Sequence, residues 1–309
     1  MIRVFHDWTA IPDEARGASV ALGNFDGMHR GHLEVLRAAH AARPEAPRAA
    51  LTFAPHPREF FRPEDPPFRL MLEAERAAAL EEAGIDFLYE LTFDRAFSQL
   101  SAEAFVADVL YRGIGAAHLA CGADFAFGHR RGGDVAMLRM AAESHGIGLS
   151  VVPHLDDAEG PISSSRIRRL LQDGYPERAT ALLGRPHAIR GVVAHGDARG
   201  RTIGFPTANV ALGRHLEPAR GVYAVTVRLK DGSRVKGVAN IGRRPTVAEG
   251  AISRLEAHLF DFAGDLYGQD IAVSLHHFIR EERRFADFDA LRAQIVADAE
   301  EARRLLAAI

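Results

Sequence analysis

Residues 23–32 read Gly-Asn-Phe-Asp-Gly-Met-His-Arg-Gly-His, and they follow a short apolar run at 19–22 and open a helical pattern at 28–42. A strand, a glycine-bearing turn and a helix start together form a site for an anion. The reason is that the first backbone N–H groups of a helix lack intrahelical partners and the helix dipole adds positive charge. The stretch therefore predicts a phosphate-binding turn, and we assign this binding to Gly23, Phe25 and Asp26.

The two histidines of this stretch are candidate catalytic groups. His29 and His32 are three residues apart, so we expect them on one face of the first helical turn, where both can donate to the same phosphate oxygens. Gly31 between them would let a substrate approach the backbone closely. A single histidine at such a place is more often a surface or helix-terminal residue, and it is the whole string that favours function.

The N-terminal half alternates short apolar runs with longer amphipathic ones, which is typical of a parallel sheet covered by helices. The pattern predicts strands at 19–22, 49–53, 86–91, 117–121 and 149–152. It predicts helices at 28–42, 71–83, 101–111, 133–145, 164–172 and 176–183. Three of these helices are expected to end at C-cap glycines, namely Gly84, Gly113 and Gly146.

The pattern changes after Pro186, where polar and apolar residues alternate as in antiparallel strands. Strands are predicted at 188–194, 221–227, 233–238, 253–259 and 269–279, and an amphipathic helix at 288–306. These segments predict a compact antiparallel β-barrel with a terminal helix. The boundary is expected near Gly184, which gives domains of 1–184 and 185–309.

Composition narrows the class of protein. A chain of 309 residues can bury two cores of ordinary size, and its 38 basic and 41 acidic residues leave no positive field for nucleic acid. The first residues lack the apolar run of a signal peptide, and no run reaches the ~20 apolar residues of a membrane span. We therefore expect a cytoplasmic protein with neither a nucleic-acid nor a membrane partner. The lone Cys121 excludes an intrachain disulfide and a multi-thiolate metal site.

Two further stretches follow predicted strands of the N-terminal half, at the edge where parallel sheets bind ligands. His56 lies between two prolines after the second strand, and a rigid proline turn with an incidental histidine is the alternative. A second segment, 122–128, follows a later predicted strand and is flanked by glycines. An aspartate close to a glycine often marks only a turn, and this is the alternative to a binding role. The candidates for nucleotide binding in and just after this segment are Asp124, Phe125, Gly128 and Arg131.

A helix start with three hydroxyl groups offers another phosphate site. Ser163, Ser164 and Ser165 introduce a helical pattern that carries Arg168. The hydroxyls and backbone N–H groups can bind phosphate, and Arg168 can neutralise the departing charge. A serine N-cap on an amphipathic helix with solvated arginines is the alternative, and the histidine stretch favours the phosphate site.

The second chemical site is predicted at 191–209, where four glycines and interspersed basic residues suit a loop over phosphates. Gly196 and Arg201 belong to this loop, which lacks the Gly-Lys-Ser/Thr ending of a Walker loop. Thr207 and Asn209 supply oxygen ligands of the kind that Mg²⁺ accepts. A glycine-rich barrel corner with a Phe-Pro turn is the structural alternative.

These stretches of sequence resemble the motifs of known protein families. Phe25-Asp26-Gly27 followed by His-x-Gly-His resembles the motif of nucleotidyltransferases that move an adenylyl or cytidylyl group onto a phosphate. Together with later matching segments, the 191–209 string resembles riboflavin kinase; these segments are 221–225, 240–246, 256–262 and 278–281. In this order the chain is similar to the bacterial bifunctional riboflavin kinase and FAD synthetase family. The resemblance implies a Rossmann-like nucleotidyltransferase sheet followed by a riboflavin-kinase barrel.

The resemblance also implies the chemistry. The barrel would phosphorylate riboflavin to FMN with ATP, and the N-terminal domain would adenylylate FMN to FAD with release of pyrophosphate. Glu256 would take the proton from the ribityl hydroxyl, while Thr207 and Asn209 would hold Mg²⁺ and ATP. Arg280 would contact the flavin. Without the resemblance, Glu256 is one glutamate in a strand-like run.

The N-terminal reaction needs no nucleophilic side chain, because the acceptor phosphate is itself an anion and can attack the α-phosphorus of ATP. His29, His32 and Arg168, with Mg²⁺, would stabilise the growing negative charge. Two other functions stay open at this point. One is a nucleotidyltransferase with another phosphate acceptor and the barrel as a specificity module, and the other is a non-catalytic flavin-binding protein. The sequence makes no prediction of oligomeric state.

Overall fold

The structure is a computed structural model, and it describes residues 1–195, 205–244 and 252–309. The chain forms two compact units. The first unit contains Met1–Asp65 and Leu72–Ser163, and the second contains Pro66–Met71 and Ser164–Ile309. These units group residues by their contacts, and the domain limits at 184 and 185 stay a prediction from the sequence.

The first unit is built on a six-stranded parallel sheet in the order β1-β4-β3-β2-β5-β6. Its strands are β1 (Arg3–Phe5), β2 (Ser19–Leu22), β3 (Arg48–Ala54), β4 (Phe87–Thr92), β5 (His118–Gly122) and β6 (Gly148–Val152). The five predicted strands are confirmed, and β1 is an edge strand that the sequence did not predict. The sheet is Rossmann-like, as predicted. The short hairpin of β7 (Asp156–Asp157) and β8 (Gly160–Pro161) follows it.

Helices connect these strands. They are α1 (Arg30–Ala42), α2 (Pro57–Phe61), α3 (Glu73–Glu82), α4 (Arg95–Ser98), α5 (Ala102–Ala104) and α6 (Val135–Ser144), and α5 continues as a π-helix over Phe105–Gly113. Gly84 and Gly146 have the positive φ angles expected at helix C-caps, +80° and +70°. Gly113 was predicted as a C-cap, but it is the last residue of the π-helix, and the C-cap is Ile114. A Cβ there would come within 2.7 Å of the Trp8 carbonyl oxygen, so this glycine permits close packing instead.

The second unit begins with two helices, α7 (Ser164–Gln172) and α8 (Pro176–Leu183), whose bounds agree with the prediction. An antiparallel sheet follows in the order β10-β13-β12-β11-β14-β9. Its strands are β9 (His187–Val192), β10 (Ala208–Ala211), β11 (Gly221–Arg228), β12 (Arg234–Arg244), β13 (Ile252–Leu259) and β14 (Asp270–Glu281), and α9 (Phe288–Leu305) follows. A bridge between Ala194 and Asn209 brings the two edges together, so the sheet forms the nearly closed barrel that was predicted.

Along each barrel strand, successive side chains point alternately into the apolar interior and to the outer face. Tyr223, Val225 and Leu255 are among the residues that fill the interior. On the outer face Val222 and Val238 are packed in one cluster with residues of α9. Residues two apart along a strand share a face, and Ala224, two residues after Val222, belongs to the same cluster. No helix in the described ranges has the length and apolar character needed to cross a bilayer.

Candidate active sites

The predicted phosphate-binding turn lies at the carboxyl end of β2, between β3 and β5. The strands that follow β2 lie on one side of it as β3 and β4, and β5 and β6 lie on the other side. Ligands of doubly wound sheets bind at such a switch point. Three residues of the turn have positive φ angles, Phe25 (+50°), Gly27 (+91°) and Met28 (+44°). Phe25, Asp26 and Met28 are buried. Two non-glycine residues in the left-handed region mark a turn whose shape is imposed by its surroundings.

His29 lies just before α1, not within its first turn as the sequence predicted. It is the N-cap, and its Nδ1 accepts a hydrogen bond from the backbone N–H of His32 at 3.3 Å. The two imidazole rings stack with centroids 3.6 Å apart. Since Nδ1 accepts, the neutral imidazole of His29 carries its proton on Nε2 and can donate it to an anion.

The missing side chain of Gly31 leaves space for the ring of His29. A Cβ on Gly31 would lie 3.2 Å from both Nδ1 and Cε1 of His29. The sequence predicted that this glycine admits a substrate, whereas the structure places the His29 ring over it. The Phe25 and His32 rings also pack in an edge-to-face arrangement, with centroids 5.4 Å apart. The turn and the stacked histidines therefore form one packed group.

His56 follows β3 and begins α2. Its Nδ1 accepts from the backbone N–H of Arg58 at 3.0 Å, and Glu59 accepts from the backbone N–H of His56 at 3.1 Å. These two bonds form a capping box, so the ring has a local structural role in addition to the predicted role in nucleotide binding. The half-buried ring lies at the same edge of the sheet as the turn after β2, because β2 and β3 are parallel neighbours.

The loop after β5 carries the next predicted group. Asp124 is exposed, and Phe125 is half-buried and stacks on Phe127 with centroids 5.6 Å apart. Gly128 has a φ of +74°, and a Cβ there would lie 2.7 Å from the backbone of Ala102. Gly128 is therefore required for packing. Arg131 is exposed and has a left-handed backbone.

The serine-rich helix start divides between the two units. Ser163 ends the first unit, and Ser164, Ser165 and Arg168 belong to the second. Within the second unit, Nε of Arg168 donates to the carbonyl oxygen of Phe68 at 2.8 Å. The guanidinium carbon also lies 5.1 Å from the centre of the Phe68 ring. The roles of these four residues in catalysis or phosphate binding stay predictions.

The barrel aligns three polar residues in one row. Asn209 of β10 pairs with Glu256 of β13, and Glu256 pairs on its other side with Asn240 of β12. Directly opposed residues of antiparallel strands point to the same face, with Cβ atoms about 4.5–5.5 Å apart. Glu256 is half-buried between the two amides. Asn240 lay in the riboflavin-kinase-like string but was not assigned to the site, since only the register places it beside Glu256.

Asn209 is a candidate metal ligand on geometric grounds. It is 5% exposed, and its Nδ2 lies 3.3 Å from the Thr207 carbonyl oxygen and 3.5 Å from its Oγ1. Its Oδ1 is buried and has no hydrogen-bond partner among the described residues. A buried amide oxygen requires a donor or a cation, so this atom suits a bound metal. Across the described ranges, no three His, Cys, Asp or Glu residues cluster as metal ligands.

Two predicted residues of this site, Gly196 and Arg201, lie outside the described residues. Arg280, the predicted flavin contact, forms a bidentate ion pair with Asp298 of α9. The distances are 2.9 Å from Nε to Oδ1 and 2.7 Å from Nη2 to Oδ2. Gln294 also donates to Asp298 at 2.7 Å. The sequence missed Asp298, because an aspartate on an amphipathic helix is usually solvated, whereas this one is buried.

A model of the FAD synthetase family matches residues 11–166. A model of the riboflavin kinase family matches residues 183–306. The chain belongs to the bifunctional riboflavin kinase/FMN adenylyltransferase family. Family membership agrees with the resemblance seen in the sequence, and it covers both the parallel-sheet and the barrel parts of the chain.

Relatives with this family's name match over nearly their full length. The protein of Escherichia coli (strain K12) is 42% identical over 96% of this chain and 95% of its own. The Haemophilus influenzae protein is 41% identical over 98% of both chains. The Bacillus subtilis protein is 38% identical over 98% of this chain and 97% of its own. All three are named bifunctional riboflavin kinase/FMN adenylyltransferase.

A solved structure has the same fold over the whole chain. It is a protein from Streptococcus pneumoniae with a TM-score of 0.86 and 35% identity, and 98% of each chain is covered. That protein is named a macrolide-efflux protein. The family models that match the present chain describe flavin-nucleotide chemistry, and it is these models that assign its two enzyme activities, riboflavin kinase and FMN adenylyltransferase.

Proposed function

We propose that the barrel phosphorylates riboflavin to FMN and that the parallel-sheet unit adenylylates FMN to FAD, with the residue roles given below. The observation that carries this assignment is the match of two family models to separate parts of the chain. Riboflavin, FMN and ATP are the small-molecule substrates. Neither nucleic acid nor a membrane is a partner in this proposal, and the proposed compartment is the cytoplasm.

Glu256 is the proposed base of the kinase reaction. It takes the proton from the ribityl hydroxyl while the oxygen attacks the γ-phosphorus of ATP, and the bond to the leaving ADP breaks. Its position between Asn209 and Asn240 supports this role, because neighbouring amides can orient the carboxylate without neutralising it. A base in the middle of a strand is also held more rigidly than one on a loop.

Thr207 and Asn209 are the proposed ligands of Mg²⁺. The buried Oδ1 of Asn209, which has no hydrogen-bond partner among the described residues, supports this assignment. Mg²⁺ prefers oxygen ligands and keeps several of its waters, so two protein ligands plus substrate phosphates are sufficient. When bound, the ion neutralises charge on the phosphates of ATP. Gly196 and Arg201 are proposed to cover the same nucleotide.

The adenylyl transfer is proposed to occur at the turn after β2. An oxygen of the FMN phosphate attacks the α-phosphorus of ATP, and the bond to the leaving pyrophosphate breaks. Nε2 of His29 donates to the growing negative charge, and the dipole of α1, whose N-terminus lies at the turn, adds to the positive field. His32, whose ring stacks on that of His29, is proposed to donate to the same developing charge. Arg168 is the proposed counter-charge of the departing group.

The remaining site residues are proposed to bind the nucleotide. They lie on the loops that follow β2, β3 and β5 or at the serine-rich helix start. Their support is the sequence motif together with the position of those loops at the carboxyl edge of the sheet. They are Gly23, Phe25, Asp26, His56, Asp124, Phe125, Gly128, Arg131, Ser163, Ser164 and Ser165.

Separate assays test the two activities. Purified protein with riboflavin, ATP and Mg²⁺ is expected to form FMN and ADP, and protein with FMN, ATP and Mg²⁺ is expected to form FAD and pyrophosphate. Pyrophosphate release with other phosphate acceptors, each supplied in place of FMN together with ATP, is compared with the release measured with FMN. A strong preference for a different acceptor would favour the other nucleotidyltransferase function. Flavin binding without turnover would favour the non-catalytic one.

A further inference from the structure

Arg76 of α3 is a buried charge that the two proposed reactions do not use. Its side chain is 0% exposed. Nη2 donates to Oε1 of Glu90 in β4 at 2.6 Å, and Glu90 is also buried. Removing two charges from water costs free energy. A protein in which two well-packed apolar residues of similar size replace a buried ion pair is often as stable as the original, or more stable. The pair therefore needs an explanation other than stability.

The guanidinium also contacts backbone atoms at the edge of the sheet. Nη1 donates to the carbonyl oxygen of Asn24 at 3.3 Å, and Nη2 lies 3.4 Å from the carbonyl oxygen of Phe53. Asn24 belongs to the turn after β2, and Phe53 lies near the end of β3. The hydroxyl of Thr52 donates to the same Asn24 oxygen at 3.3 Å. Two donors thus converge on one carbonyl at the start of the turn.

The turn is a segment that needs external support. Phe25, which follows Asn24, and Met28, which precedes His29, are both left-handed non-glycine residues. Such conformations persist where the surrounding structure determines them. Fixing the Asn24 carbonyl fixes the orientation of the next peptide plane, and therefore where the turn begins. A displacement here would move the backbone N–H groups and the His29 ring together.

We propose that Arg76, held in place by Glu90, is a positioning residue of the adenylyl-transfer site. It binds the Asn24 carbonyl and so sets the turn that presents His29 and the start of α1 to the transferred phosphate. The inference rests on the proposed adenylyl transfer by the first unit. An arginine suits this role because its planar fork serves a carboxylate and carbonyl oxygens at once, whereas a lysine ammonium is a single point of charge.

Substitutions of Arg76 test the proposal, with the riboflavin kinase activity of the same polypeptide as an internal reference. Arg76→Met is expected to lower kcat for adenylyl transfer about 10- to 100-fold with a smaller change in KM for FMN, as for a misplaced catalytic group. Riboflavin phosphorylation should stay within about 2-fold. Arg76→Lys should recover part of kcat, because it keeps the charge beside Glu90. Arg112→Met, which breaks an exposed ion pair on the π-helix, is the matched control.

The double variant Arg76→Met/Glu90→Leu separates positioning from stability. Removing both charges leaves no unpaired buried carboxylate, so this variant should recover the stability that Arg76→Met loses. Its adenylyl transfer should stay low, because the Asn24 carbonyl has lost its charged donor. Recovery of wild-type kcat together with stability would overturn the proposal, as would Arg76→Met with wild-type kcat. Wild-type protein that forms FMN but no FAD would instead contradict the proposed function of the first unit.

Discussion

Asn209 lies directly opposite Glu256 in the register of β10 and β13. One strand thus carries the proposed base, and its neighbour carries the proposed metal ligand. The pairing of Glu256 with Asn240 on the other side places the carboxylate in the middle of three adjacent strands. The backbone ladder fixes these separations, so the proton acceptor and the cation ligand are positioned without any loop movement.

Replacing Glu256 by Gln should lower the rate of riboflavin phosphorylation by about 10²- to 10⁴-fold, the usual contribution of a general base. The amide keeps the shape of the carboxyl group but cannot accept the proton. FAD formation from added FMN should be unchanged, because it occurs in the other unit. Glu300→Gln, an exposed change on α9, is the control. A Glu256→Gln rate within 10-fold of wild type would rule out the assignment.

Asn209→Ala should shift the Mg²⁺ dependence of the kinase reaction to higher concentration, since it removes the buried Oδ1 proposed to bind the ion. The measurement is the kinase rate as a function of Mg²⁺ at fixed ATP. Thr207→Ser, which keeps a hydroxyl group, should shift the curve less than Thr207→Ala. An unchanged curve for both alanine variants would remove these residues from the metal site. A chelator in excess of Mg²⁺ should stop the reaction in every variant.

His29→Asn separates the capping role of this residue from its proposed chemistry. Asparagine is a good N-cap, so α1 should keep its stability within about 0.5 kcal/mol. The ring and its Nε2 donor are lost, and adenylyl transfer should fall by about 10²- to 10³-fold, as for the loss of one donor to a developing charge. Initial rates of FAD formation and thermal unfolding give the two readouts. Arg37→Gln on the same helix is the control.

For His29→Asn, a large loss of stability with unchanged turnover per folded molecule would show that His29 only caps the helix.

Much of the fold could be predicted because its signals are local. Strand β2 and helices α7 and α8 have the predicted bounds, since an apolar run ends at Gly23 and a proline begins α8. The missed strands are short: β1 has three residues at an exposed edge, β7 and β8 have two each, and β10 has four. So few residues carry too little periodicity to be distinguished from a loop.

The parts of the sites that could not be predicted depend on tertiary contacts. A motif shows that His29 and His32 matter, but their stacking and the capping role of His29 depend on where α1 begins. Arg76 and Glu90 are charged residues that a sequence places on solvated faces, and only the packing of α3 against the sheet buries them together. The register of β10 with β13, which pairs Asn209 with Glu256, likewise has no local signal.

His118 of β5 should make the stability of the protein depend on pH. Burial lowers the pKa of His118 below its ordinary value of 6.5, and the charge of Arg43 acts in the same direction. The unfolded chain therefore binds more protons than the folded one below pH 6.5, so stability is fully present above this pH and falls as the pH decreases toward the folded pKa. Urea unfolding at pH 8, 6 and 5 measures the free energy.

His118→Gln is expected to flatten that dependence, because the side chain no longer titrates. Burial also lowers the pKa of His276, in the second unit, so the difference between wild type and His118→Gln isolates the contribution of His118. An identical slope in both proteins between pH 6.5 and 5 would show that His118 does not contribute.

The most direct test of two sequential reactions in one chain is a time course of flavin species. Wild-type protein with riboflavin, ATP and Mg²⁺ should form FMN first and FAD after a lag, as followed by chromatography. Glu256→Gln should form FMN and FAD from riboflavin about 10²- to 10⁴-fold more slowly but FAD from added FMN at the wild-type rate, while His29→Asn should accumulate FMN. FAD production by His29→Asn at the wild-type rate, or FMN production by Glu256→Gln at the wild-type rate, would contradict the account.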